Sequence, residues 1–199
     1  MSKEFNYIFG VLVMILCMGA SCALARDITF RGKVIDADTK EPIEEAVVVV
    51  FWYEARETIA GESTRLKDVK ETLTDKNGEW SITGPKGRDY MPVPYLSFLT
   101  GMYYTREPQL IIFKPGYCSW PKGFSIDSCK GKMKSIGEGE VMEGKAIELP
   151  EVSGKDRIMN LPHPLVGERV PFEKEKEFIR LINEERRKLG LGEYPYLNK

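Results

Sequence analysis

From residue 28 the chain alternates apolar and polar positions. Ile28, Phe30 and Val34 fall on one side, and Thr29, Arg31 and Lys33 on the other, the period of a strand with one buried face. Residues 36–42 form a polar turn rich in Asp and Thr, whose side chains bond their own backbone. Ile43 and the unbroken run 46–53 (Ala-Val-Val-Val-Val-Phe-Trp-Tyr) follow, and they predict a central strand covered on both faces. Residues 54–68 are charged and lack a period, so they read as a loop or short irregular excursion. Residues 69–74 predict a strand, Asp75-Lys-Asn-Gly78 a hairpin turn, and residues 79–83 its returning partner with Trp80 and Ile82 on one face. Residues 84–108 carry several Pro and aromatic residues without strong periodicity and read as a long loop. Further strands are expected at 109–114 and 145–150, with a Gly- and charge-rich loop at 131–144 between them.

After residue 152 the composition shifts. Residues 153–171, with Pro162, Pro164 and Gly167, read as an extended tail, and 172–189 as a helix. Phe178, Leu181, Ile182 and Leu189 make a narrow apolar stripe at helical spacing, which predicts docking on the domain's own core. Gly190 followed by Leu191 is the signature of a Schellman end.

The N-terminal stretch changes the picture. Residues 7–18 are almost continuously apolar, too few for a comfortable membrane span but matched to the core of a signal peptide. Ala23-Leu24-Ala25 is an A-x-A cleavage site, with Arg26 the first residue after the cut. Two alternatives stand beside cleavage there: lipidation of Cys22, and retention of the segment as an uncleaved anchor. The expected organisation is a signal peptide at 1–25, a β-domain at 26–152, and a tail with an amphipathic helix at 153–199.

The chain has 199 residues, 42% of them hydrophobic, enough for one core. Its 29 basic and 30 acidic residues give a net charge of -1, so charge argues neither for nucleic acid nor for an anionic membrane surface. Membrane attachment is expected only through a lipid or an uncleaved anchor. Of four Cys, Cys17 and Cys22 lie in the targeting segment. Cys118 and Cys129 remain, an even number in an oxidising compartment, and their aperiodic intervening loop favours a disulfide over two free thiols.

Several pieces stand in order: Arg31-Gly-Lys-Val-Ile-Asp36, Lys40-Glu-Pro-Ile-Glu-Glu-Ala-Val-Val48, Thr72-Leu-Thr-Asp-Lys-Asn-Gly-Glu-Trp80 with Ile82, and Ile111-Ile-Phe-Lys-Pro-Gly-Tyr117. This order resembles the carboxypeptidase regulatory-like domain, with its G-x-V-x-D strand, P-I-x-x-A-x-V strand, T-D-x-x-G hairpin and late G-Y. The resemblance implies a mainly β fold: an Ig-like, transthyretin-like antiparallel β-sandwich, here with long loop insertions and one C-terminal α-helix. It also implies an accessory or interaction module of exported proteins, with no catalytic residues to carry over.

Motif chemistry points the same way. His163, the one histidine, sits in a Pro-rich tail, a poor place to hold a base. No nucleophile elbow, zincin helix, phosphate loop or dinucleotide fingerprint occurs. Neither a cofactor nor a metal is expected. Asp36 and Asp38 lack the glycine a calcium loop needs, and Cys118, Cys129 and His163 match no zinc spacing. A hydrolase would need polar groups converging around His163 or on a carboxylate pair such as Glu54 and Glu57. The loop aromatics Tyr90, Tyr95, Tyr103, Tyr104 and Trp120 are candidate contacts for a sugar or protein partner. The expectation is an exported, non-catalytic binding module, periplasmic or envelope-associated, whose partner is an unknown envelope protein or glycan. The alternatives are an accessory domain of an envelope hydrolase, or a structural lipoprotein tethered through Cys22.

Overall fold

The β-branched and aromatic run beginning at Val47 sets the architecture. It forms β2 (Val47–Thr58), in which Val47, Val48, Val49, Val50, Phe51 and Trp52 are all buried. Such a strand needs apolar cover on both faces, and it has it. The structure, a computed structural model, describes residues 28–85, 94–133, 143–165 and 170–195. The expected signal segment, its cleavage site at Ala25 and Arg26, Cys22 and Tyr90 lie outside the described residues.

The molecule is mainly β, with two sheets and few helices. One sheet has the order β4 (Glu79–Thr83), β1 (Thr29–Asp36), β7 (Glu143–Leu149). In the other, β2 pairs along one edge with β3 (Gly61–Leu73). Its opposite edge pairs with β5 (Tyr104–Thr105) and β6 (Gln109–Phe113). The even-numbered positions of β2, Val48, Val50 and Trp52, meet Val34, Trp80, Ile82, Ile147 and Leu149 of the facing sheet in one core. The odd-numbered positions, Val47, Val49 and Phe51, form a second core with helix α3 (Lys176–Lys188) through Phe178, Leu181 and Ile182. The result is three layers: sheet, sheet, and helix with tail.

Two glycines answer to close approaches. A Cβ on Gly32 would stand 2.6 Å from the Trp80 ring, which lies across it from the paired strand. Gly78 has φ +73°, and a Cβ there would meet the Val34 carbonyl oxygen at 2.3 Å. Its own carbonyl accepts the Val34 amide at 2.8 Å.

Four expectations are corrected. First, residues 54–68 are not an irregular loop. They continue β2 and β3 into one long hairpin, closed by Ile59 and Ala60 with Gly61 at φ +108°. The period is missing because this stretch leaves both cores and is covered unevenly: β5 and the 94–100 helix lie against it and Ala55 is buried, while the turn at Ile59 and Ala60 is exposed. Second, β4 does not pair with β3. The 75–78 turn is a corner from one sheet to the other, and β4 pairs with β1. Third, pairing is not wholly antiparallel, since β7 runs parallel to β1. It arrives by a long crossover rather than a hairpin, as parallel neighbours must. Fourth, the described part of the 84–108 stretch contains α1 (Pro94–Thr100) and β5.

The C-terminal region docks through specific polar groups. The tail contains the short helix α2 (Asp156–Asn160). Buried Asn160 accepts the Ser119 amide at 2.7 Å and donates to the Tyr117 carbonyl at 2.8 Å. Arg157 forks onto buried Glu185 with two bonds of 2.7 Å. After a 3-10 turn at Phe172–Lys174, α3 starts at Lys176 rather than at the expected 172. Its first turn is capped from β3, where the Glu71 carboxylate accepts the amides of Glu177 and Phe178 at 2.8 and 2.9 Å. Its last turn ends in a Schellman pattern: Leu191 N–H to the Arg186 carbonyl and Gly190 N–H to the Arg187 carbonyl.

Candidate functional site

The β2–β3 hairpin outruns both cores. Neither core cluster contains a residue between positions 54 and 65, although both strands continue paired to Thr58 and Gly61. Charged cross-strand partners hold this ribbon together. Arg65 bonds Glu54 at 2.7 and 2.9 Å, and Lys67 reaches Glu54 at 3.4 Å and Thr105 at 2.8 Å. On the opposite face Tyr104 donates to Glu62 at 2.8 Å, and Arg106 pairs with Glu62 at 3.0 Å. Burial, together with the Glu62 hydrogen bond and charge, pushes the Tyr104 hydroxyl up to about 12.

Helix α1 packs against this ribbon. Buried Ser97 accepts the Glu57 amide through its hydroxyl at 3.0 Å. The chain then turns at Gly101 and adds β5 alongside Glu54 and Ala55. Fixed this way, the end of the hairpin presents an apolar patch: Ile59 is 96% exposed, Leu99 79%, Phe98 50% and Met102 39%. These side chains contribute nothing to either core. They are costly to leave in water, roughly 1.5–3 kcal/mol for each large aliphatic or aromatic side chain compared with full burial. Large exposed apolar patches are the kind of surface through which proteins make contacts.

The candidate aromatics separate in this frame. The Tyr103 ring is stacked by the guanidinium of Arg65 at 3.9 Å and that of Arg56 at 5.0 Å. Tyr103 and Tyr104 are thus half-buried and tied to the ribbon at the base of the apolar patch. Tyr95 falls on α1. Trp120 is corrected: it is 2% exposed, belongs to the inter-sheet core, and exchanges backbone hydrogen bonds with Ile112. It offers no surface to a ligand. Its loop is closed by the Cys118–Cys129 disulfide, with an S–S distance of 2.01 Å. The bond removes both thiols from any metal set with His163.

Candidate catalytic groups do not converge. Glu54 and Glu57 are three residues apart on one strand and therefore project from opposite faces of the ribbon. His163 is exposed, and its Nδ1 lies 3.1 Å from the Tyr194 hydroxyl. The Asp36 carboxylate caps its own turn, accepting the amides of Asp38 and Thr39 at 2.8 Å each. Burial raises this carboxyl, but those amides and the Tyr117 hydroxyl outweigh it and hold the group below 3.8. An open groove of about 710 Å³ beside Arg31, Lys33, Asp75 and Glu79 balances two cations against two carboxylates. Among the described residues, no helix is long and apolar enough to cross a membrane.

The patch residues Ile59, Leu99 and Met102 escaped the sequence reading. The available signal was a lone Ile in an otherwise charged stretch, followed by Ala-Gly. That is an apolar side chain at a turn, where nothing requires one. No family model matches the chain, and neither a curated protein nor a solved structure matches it.

Proposed function

We propose that the chain is an exported, non-catalytic binding module of the cell envelope, making its contact through the end of the β2–β3 hairpin. In this reading the two-sheet core is a transthyretin-like scaffold of the carboxypeptidase regulatory-like kind. The ordered motifs from Arg31 to Tyr117 and the small turn residues at Pro42 and Gly78 support it. Export is supported by the apolar run at 7–18, the Ala-Leu-Ala site ending at Ala25, and a buried disulfide that suits an oxidising compartment.

The observation that carries the functional reading is the exposure of Ile59, at the turn of a ribbon anchored by ion pairs, and of Leu99, on the helix α1 packed beside it, both outside the two cores. A rigid scaffold holding a few apolar side chains at the end of a projection is built for contact rather than turnover. The test is whole-cell crosslinking followed by fractionation of the wild type and an Ile59→Asp/Leu99→Asp variant. The wild type is expected to be recovered joined to an envelope component and the variant to be recovered free. Equal recovery from both would remove the hairpin end as the contact surface.

A further inference from the structure

We propose that the partner at the hairpin end is a lipid bilayer surface, with Ile59, Phe98, Leu99 and Met102 seated at the boundary between headgroups and acyl chains. This rests on the reading of that end as the contact surface.

Ile59 stands at the turn of the ribbon, and Phe98, Leu99 and Met102 stand on and just after the short helix whose Ser97 is bonded to the ribbon at Glu57. Exposed apolar side chains at such a turn enter a bilayer interface without needing a complementary pocket. Shallow seating of about 5–10 Å is the depth typical of interfacial attachment.

The collar beneath the tip suits the same interface. Tyr103 lies under the Arg65 and Arg56 guanidinium groups, and the Tyr104 hydroxyl and Arg106 sit together on Glu62. Tyrosines and arginines with apolar stems and polar ends are the residues that settle at headgroup level. The ribbon (54–68) and residues 104–106 carry Arg56, Arg65, Lys67 and Arg106 against Glu54, Glu57, Glu62 and Asp68, four cations to four carboxylates. Attraction to anionic lipid is therefore small, and the apolar tip supplies most of the binding.

The point where the chain enters the fold bears on the same surface. Ile28, the first described residue, lines one small cavity with Trp52, Lys67, Pro85 and Thr105. It therefore lies at the end of the core from which the hairpin projects. In the sequence, Cys22 and the apolar run at 7–18 come just before it. Six residues from Cys22 to Ile28 reach at most about 20 Å. The ribbon from Tyr53 to Thr58 extends about 17 Å. Under either alternative to cleavage after Ala25, a lipid on Cys22 or the retained apolar run would hold this end within reach of the membrane that the tip meets, whereas cleavage there removes both and leaves attachment to the tip.

The test reconstitutes the full-length chain in vesicles of phosphatidylethanolamine and phosphatidylglycerol. A benzophenone amino acid is placed at position 59, 98 or 99, or at exposed Glu44 near the opposite end of β2. Lipid adducts from 59 and 99 are expected to exceed those from 44 by at least about tenfold, as shallow insertion of only one end requires. Placed at 98 in the Ile59→Asp/Leu99→Asp background, the probe should fall to the level of position 44. Equal, low adduct yields at all positions overturn the proposal. If position 99 in cells then labels a protein or glycan, the lipid inference falls and the binding-module reading stands. If it labels no envelope component, both fall.

Discussion

Asn160 shows how single polar residues fix this fold. It is buried, yet its side-chain oxygen takes the Ser119 amide and hydroxyl, and its side-chain nitrogen reaches the Tyr117 carbonyl. Truncation to Ala would strand a buried amide and a part-buried carbonyl at once. Asn160→Ala is expected to lower unfolding free energy by about 3 kcal/mol, given the desolvation cost of unpaired buried groups. Urea denaturation with an unchanged m-value would read this as a shifted midpoint. A shift worth less than about 0.5 kcal/mol would show that the site relaxes or admits water. Residues of this kind were invisible in the sequence, because Asn160 follows four residues with no pattern and its partners lie 41 and 43 positions away. Gly78 was legible, since Asn-Gly announces a turn needing positive φ. Its close approach to Val34, however, is a tertiary fact.

At the scale of elements, legibility followed burial. The run at Val47 announced a doubly covered strand because it was apolar without a break, and the stripe on α3 announced its docking face. The hairpin extension did not announce itself, since its strands are held by Glu54–Arg65 and Tyr104–Glu62 pairs rather than by apolar alternation. The helix start was misplaced for a related reason: its cap comes from Glu71, which lies 106 positions from Glu177. Burial lifts the Glu71 carboxyl above its ordinary value of 4.5, and Glu177 adds to this, while the capping amides pull it back. The folded chain therefore holds this proton more tightly than the unfolded chain does. The contribution of Glu71 to stability is full below 4.5 and is lost as pH rises through its folded value. The unfolding free energy of wild type minus that of Glu71→Gln should fall as pH is raised through the acid range, and a difference that rises would contradict the assignment. The disulfide is the other staple at this scale. It joins residues 11 apart, so a Cys118→Ser/Cys129→Ser variant should lose about 3 kcal/mol in the same denaturation assay.

At the scale of the molecule, the packed cores and the proposed contact surface are segregated. Two cores on the two faces of β2 carry most of the packing, and residues 54–65 of the ribbon belong to neither, with Ala55 their one buried side chain. Ile59→Asp/Leu99→Asp should leave unfolding free energy within about 0.5 kcal/mol of wild type, as surface substitutions away from packed sites do. A loss of several kcal/mol would mean the tip is part of the fold. The central claim is that the molecule meets its partner at this end. Its most direct test is a photo-crosslinking scan in intact cells from positions 59 and 99 against Glu44 and Lys132, which are exposed and lie outside the ribbon. Glu44 lies beyond the start of β2, and β2 itself is about 36 Å long at strand rise. Adducts concentrated at 59 and 99, and near background at 44 and 132, are what the account predicts. Adducts concentrated at 44 or 132, with the hairpin end silent, would contradict it.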